Sequence, residues 1–381
     1  MSVRFLIALL SALSIQAQAD VKPYMDQMLQ EIYTLKPFIV SEVDYRDPKN
    51  APVIQKSLQN MVVLSEKISH EGKIKNSGFA ISGRAMNQQL KEAEVVYRVG
   101  NKDYSLWMLR STLSVCMSCH TQLPSTSTKF DFANKDHFLK KPFDEAEFLF
   151  IVRNFDKALP LYNEVLTGFP KKDPSVEHVE QALSRKVYYY VRVQRDIPGF
   201  IQSLQKDLTN KELPTFLQAR IQGLIKAANK IKSQPYPDFN EKQSQDLRSF
   251  AQSNLKKELA GDFEMSAERE LTYLKVSSVL YKYLDQHPQT SLKPDILYWL
   301  SFCERRYEEK ALYSMPELYL KQCVLEHPES QVAPSCLKEY QDLIQMAYTG
   351  SSGTHIPEDV QREIESMKEL IKKMTAKKSR P

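Results

Sequence analysis

From residue 22 to residue 120 apolar side chains recur every three or four positions, the spacing that gives a helix one buried face. Lys22 to Ser41 is predicted as a first helix, with Met25, Met28, Leu29, Ile32 and Leu35 along one side. Pro48 and Pro52 open a second, striped by Ile54, Leu58, Met61, Ser65 and Ile68. Gly72 and Gly78 punctuate the chain, and a third helix turns Met86, Leu90, Ala93, Val96 and Tyr97 inward before Gly100-Asn101 stops it. A fourth, with Asp103 predicted as its N-cap, carries Tyr104, Trp107, Met108 and Val115 to Cys116, with Trp107 facing the interior. Three short connections favour an up-down-up-down bundle, a fold whose interior often holds cofactors.

The pattern changes after Pro142. Between Glu145 and Pro170, Ala146, Leu149, Phe155, Ala158, Tyr162, Val165 and Leu166 fall at offsets that resemble one tetratricopeptide repeat, a helical hairpin closed by small residues, although the usual Trp and Gly of the first helix are missing. Similar punctuation returns at Tyr283 to Pro288, before a helix at Ile296 to Arg306, and at Cys323 to Pro328, before one at Ala333 to Tyr348. Pro288 and Pro328 are 328 − 288 = 40 residues apart, longer than a strict repeat, so these are degenerate units. Further helices are predicted at Val176 to Val193, Pro214 to Ala228 and Lys242 to Ala260. The expected result is a curved array of helix pairs, with an irregular helical domain as the alternative. His287 and His327 stand at corresponding hairpin ends and read as turn residues rather than metal ligands. A flexible loop is expected at Tyr348 to Gly353. Pro357 then opens a capping helix striped by Val360, Ile364, Met367, Ile371 and Met374.

Gly is scarce at 10 residues and strand-like alternation nearly absent, so the whole chain is predicted to be all-α. At its start Arg4 precedes an apolar run from Phe5 to Leu13 and then Ala17-Gln18-Ala19, the order of a secretory signal peptide cleaved before Asp20. The run is shorter than the ~20 residues a membrane-spanning helix needs; an uncleaved anchor is the other reading. The mature protein is therefore expected to be periplasmic and soluble, with no transmembrane segment. A net charge of +5 is small for 381 residues, and its densest basic block, Lys372 to Arg380, is a tail, so no nucleic-acid partner is expected. Export makes a disulfide among Cys303, Cys323 and Cys336 expected. Cys323–Cys336, symmetric about the turn at Pro328-Ser330, is preferred over Cys303–Cys323.

The chemistry-bearing text is Cys116-Met117-Ser118-Cys119-His120. Two thiols one helical turn apart can add across the vinyl groups of one haem, and the adjacent imidazole then lies against the iron. Zinc would need two more ligands, and only His137 lies near. A thioredoxin-type redox pair would need a βαβ setting, and a plain disulfide would leave His120 unexplained. The expected cofactor is thus one covalent haem c on Cys116 and Cys119, with His120 as the proximal iron ligand.

A helical bundle with this pentad near the end of its last helix resembles the class II c-type cytochromes, the cytochrome c-prime family, over about Val21 to Pro124. The match is specific at the pentad and topological elsewhere. The resemblance implies that His120 is the proximal ligand. It also implies that a first-helix residue meets the opposite face of the iron: Met28 or Met25 in a six-coordinate protein, or an apolar residue such as Leu29 in a five-coordinate one. His70 and His137 are alternative ligands. Members often carry a basic residue soon after the histidine; here the chain reads Thr121-Gln122-Leu123-Pro124, so propionate contacts do not carry over.

The expected organisation is a signal peptide over residues 1–19, a four-helix haem bundle over 20–124, a linker over 125–142, a tetratricopeptide-like domain over 143–350, and a capping helix with a basic tail over 351–381. The expected function is electron transfer, with the repeats docking a redox or envelope protein partner. The alternatives are a five-coordinate haem that binds or senses a gas such as nitric oxide, and a repeat scaffold in which haem is structural. No catalytic constellation is present in the sequence, so no enzyme is expected.

Overall fold

The computed structural model describes residues 21–70, 77–122, 139, 141–172, 175–262, 266–305 and 314–378. The leader, the 125–128 link, His137 and the last three residues lie outside this set, as does the side chain of His70. The described chain is all-α apart from one two-residue hairpin.

Helices α1 (Lys22–Val40), α3 (Ala51–His70), α4 (Ser77–Arg98) and α5 (Lys102–His120) each pack on the next, and α1 also touches α5. A short α2 (Glu42–Arg46) bridges the first two, started by the Ser41 hydroxyl, which accepts from the Asp44 amide at 3.2 Å. The stripes fall where the periodicity put them. Met28, Leu29, Ile32 and Leu35 are buried, as are Ile54, Leu58, Met61 and Ile68, then Met86, Leu90, Ala93 and Tyr97.

Helix α5 differs in two respects. Its N-cap is Asn101, whose side chain accepts from the Tyr104 amide at 3.2 Å, while Asp103 sits inside the first turn, where its charge favours the helix dipole. Trp107 and Tyr104 face outward, 40% and 43% exposed, and stack on each other 5.5 Å apart. The inward face of α5 is made by Leu106, Met108, Leu109 and Val115, with Ser105, Ser111 and Thr112 among them. Ser105 donates to the Ala93 carbonyl at 2.8 Å, so small hydroxyls let α4 and α5 approach closely.

Beyond residue 140, α6 (Pro142–Ile151) and α7 (Phe155–Gly168) form the expected hairpin, turning at Arg153 in the left-handed region, φ 62°. α8 (Val176–Val187) runs on into a π-turn at Tyr188–Gln194. The chain continues through α9 (Ile197–Asp207), α10 (Thr215–Ile231), α11 (Ser244–Asn254), α12 (Lys256–Leu259), α13 (Ala267–Gln286), α14 (Lys293–Glu304), α15 (Met315–Glu326) and α16 (Ala333–Ala347). The loop after Tyr348 is a small hairpin, β1 (Thr349–Gly350) with β2 (Gly353–Thr354), and Gly353 takes the φ of 107° that its turn requires. α17 (Glu358–Lys378) then buries Ile364 and Met367 and packs on α15 and α16.

Two features of the sequence reading concern packing. His287 and His327 close the C-termini of α13 and α15, as turn residues. Cys323 and Cys336 are disulfide-bonded between α15 and α16, with Cα atoms 6.3 Å apart, and Cys303 is a buried free thiol. The apolar interior shows no break near residue 140. One core runs from Met28 in α1 to Leu274 in α13; a second holds the helices from α11 to α17 together with Ile81 of α4. Among the described residues no helix is long and apolar enough to cross a membrane.

Candidate functional site

Cys116, Cys119 and His120 lie in the last turn of α5, which is closed by Thr121: its amide bonds to the carbonyls of Met117 and Cys119, and its hydroxyl donates to Met117 at 2.9 Å. Cys116 and Cys119, three residues apart, share one side of the helix. Both are free thiols, Cys116 buried and Cys119 half-buried. Burial pushes each up to about 12, so both are protonated at neutral pH. A hydrogen bond with Ser82 of α4 and the nearby Arg153 cation oppose that rise at Cys119 without cancelling it.

His120 is held by the α6–α7 hairpin. Its Nδ1 hydrogen-bonds the carbonyl of Ile151, and Arg153 Nη1 donates to the His120 carbonyl. A carbonyl only accepts, so Nδ1 carries the proton, and Nε2 keeps a lone pair free for another partner. Enclosure lowers the imidazole to about 4, helped by Arg153 and opposed by the Ile151 bond, so the ring is neutral above that pH. The Arg153 guanidinium rests 5.7 Å from the Phe155 ring centroid.

The surrounding helices add two kinds of group. From α1, Met28 and Leu29 are 3% and 5% exposed and belong to the same core as Cys116 and Met117, whereas Met25 is half-buried at its edge. From α4 and the chain after α5 come two buried amides. Gln89 and Gln122 are both 0% exposed, and neither their nitrogens nor their oxygens make a hydrogen bond among the described residues. Gln89 lies seven residues beyond Ser82, two turns on, so it shares the α4 face that meets Cys119. Helix α15 closes the site from the far end of the chain: Arg84 of α4 donates to Gln322 at 2.8 Å and pairs with Glu326 at 3.9 Å, and Tyr319 lies within electrostatic reach of Cys119.

Ser82, Gln89, Gln122 and Arg153 were not singled out in the sequence. Arg153 and Ser82 carry no motif, since only folding brings them within reach of residues more than thirty positions away. Gln89 has a weak signal, being an amide beside the inward-facing Met86, Leu90 and Ala93, and Gln122, beyond the end of α5, has none. His70 and His137, the other candidate ligands, fall outside the described side chains. Among the described residues no three His, Cys, Asp or Glu side chains converge on one point, so Cys116, Cys119 and His120 do not form a metal cage of protein atoms alone.

Comparison with known proteins adds nothing to this geometry: no family model matches the chain, and neither a curated protein nor a solved structure does.

Proposed function

We propose that the chain is an exported, periplasmic monohaem c-type cytochrome that transfers electrons, with one haem c bound covalently through Cys116 and Cys119 and its iron held by His120. The carrying observation is the pentad itself, with two free thiols one turn apart and a neutral histidine whose Nδ1 is engaged by a backbone carbonyl. That arrangement leaves Nε2 as the metal-binding nitrogen, the usual way a second partner orients a ligating imidazole. A haem iron takes four nitrogens from the porphyrin and needs only one or two ligands from the protein, the first of which His120 would supply. The buried, unpartnered amides of Gln89 and Gln122 also suit a polar guest, because such groups cost about 1–3 kcal/mol each when left unbonded.

On this reading α1, α3, α4 and α5 are a four-helix haem bundle of the cytochrome c-prime type, and α6 to α16 are a tetratricopeptide-like array that docks a redox or envelope protein partner. Burial favours Met28 over Met25 as the sixth ligand. A second reading takes support from Leu29, equally buried beside Met28: a five-coordinate iron whose open face binds a gas such as nitric oxide.

The test is to express the full chain in a host with cytochrome-maturation machinery and to record intact mass and visible spectrum. A mass increased by one haem, lost in both Cys116→Ala and Cys119→Ala, is expected; a colourless protein of polypeptide mass overturns the proposal. Low-spin ferric iron with a sulfur charge-transfer band, lost in Met28→Leu, marks the electron-transfer form. High-spin iron that takes up carbon monoxide on reduction marks the gas-binding one.

A further inference from the structure

The α6–α7 hairpin grips both helices that carry the candidate iron ligands. It holds α5 through Ile151, whose carbonyl accepts from His120, and through Arg153, which donates back to the His120 carbonyl. It holds α1 through a buried ion pair, Lys36 Nζ to Glu145 Oε2 at 2.5 Å. The Lys36 ammonium also lies 4.1 Å from the Phe148 ring, against whose edge Tyr33 packs at 5.9 Å. Glu145, Phe148 and Ile151 are spaced three apart, so one face of α6 makes all these contacts. Arg153 takes its left-handed conformation at a cost of about 1–2 kcal/mol, and its guanidinium is fixed between the His120 carbonyl and the Phe155 ring.

We propose that this hairpin is a redox-linked latch: the oxidation state of an iron bound at His120 sets the strength of the His120–Ile151 hydrogen bond, and through it the hold of α6–α7 on α1 and α5. This rests on the haem reading above. An imidazole on ferric iron gives up more electron density than one on ferrous iron, so its Nδ1–H is the stronger donor, and the enclosed site keeps water from diluting the difference. The exchange involves one electron, supplied by a one-electron carrier protein; no covalent bond breaks and no proton leaves His120. Coupling of this kind is reciprocal. A partner that docks on α6–α7 and shifts the hairpin therefore changes the iron's affinity for its electron by the same factor by which oxidation changes the hairpin's affinity for the partner. Arg153 acts here as a positioning residue, holding the turn that presents the Ile151 carbonyl.

The experiment is amide hydrogen exchange on the haem-loaded full chain, oxidised and reduced, with intact mass and visible spectrum taken on each sample. The amides of Val152, Arg153 and Asn154, bonded to carbonyls of Phe148, Phe150 and Leu149, are the reporters. They are expected to exchange at least about twofold more slowly in the oxidised protein, the effect of a fraction of one hydrogen bond, while amides of α17 do not change. The ratio falls to one in Arg153→Gln and is partly restored in Arg153→Lys, and the midpoint potential of the two variants shifts in the same order. Haem-loaded wild type with equal exchange in both states overturns the latch and leaves the cytochrome reading standing, as does a ratio that survives Arg153→Gln. A sample that carries no haem overturns both.

Discussion

The end of α5 and the helices from α8 onward differ in the buried polar groups they hold. In the C-terminal part charges are buried in pairs: Lys186 with Asp207 at 2.5 Å, both 0% exposed, Arg192 with Glu304 at 2.6 Å, and Arg269 with Glu258. Glu304 further accepts from Tyr281 at 2.9 Å, which bonds Tyr319 at 2.8 Å. Around the α5 terminus most of the buried groups are neutral: two thiols, an uncharged imidazole, and two amides without partners, with the Arg153 cation against them. A buried charge is tolerable only when paired, and each of these charges has its counter-ion within the protein. At the α5 end the Gln89 and Gln122 amides find no partner among the described residues, and in that the two regions differ.

The contrast can be broken from its strongest side first. Lys186→Met leaves Asp207 buried without its cation, and should cost about 3–5 kcal/mol in chemical denaturation. Because one core joins α1 to α13, the N-terminal helices should unfold in the same transition; a separate, unshifted transition for them would show two independent units. Reducing Cys323–Cys336, which closes a loop of sequence separation 13, should cost roughly 3 kcal/mol by the same measurement and leave any haem spectrum unchanged.

The neutral site should declare itself through pH. His120 is lowered to about 4 in the folded haem-free protein and returns to its ordinary 6.5 on unfolding. Between those values the unfolded chain binds a proton that the folded one refuses. Stability is therefore lost as pH falls through that window, by up to about 3 kcal/mol, and levels off below it. Denaturation midpoints measured from pH 7.5 to 4 should show this slope, and His120→Gln should remove it. The smallest effect sharpens the comparison most: Gln89→Leu should stabilise the haem-free protein by about 1 kcal/mol, by deleting a buried amide with no partner. If the haem-loaded protein gains as much, Gln89 does not face the haem.

Much of this architecture was legible from local pattern. The inward stripes of α1, α3 and α4 lie within single helices, and burial selects the residues that periodicity selects. Cys323–Cys336 was legible as a preference, since a short turn between antiparallel helices brings equidistant residues together, but Cys303–Cys323 satisfied the same symmetry and only the fold decided between them. The exception in α5 is instructive. Tyr104 and Trp107 are large and apolar enough to read as core, yet they stack on each other outside while Leu106, Met108, Leu109 and the small hydroxyls Ser105 and Thr112 face inward. Helices α9, α13 and α15 were not separately delimited in the sequence; α13 buries Glu270, Lys275, Ser277 and Ser278 as well as its apolar residues, so its sequence shows little contrast between faces.

By itself the sequence determined the helical class, the positions of most helices and the pentad at the end of α5, because each depends on residues no more than a few turns apart. Only the tertiary structure decided what surrounds that pentad: the Ile151 carbonyl on His120, Arg153 beside Cys119, Ser82 across from it, Tyr319 behind, and the Lys36–Glu145 pair that ties α1 to α6. The physical reason is separation. A helix repeats its own geometry every 3.6 residues and writes it into the sequence, whereas contacts between residues such as 36 and 145 exist only once the whole core has closed around them.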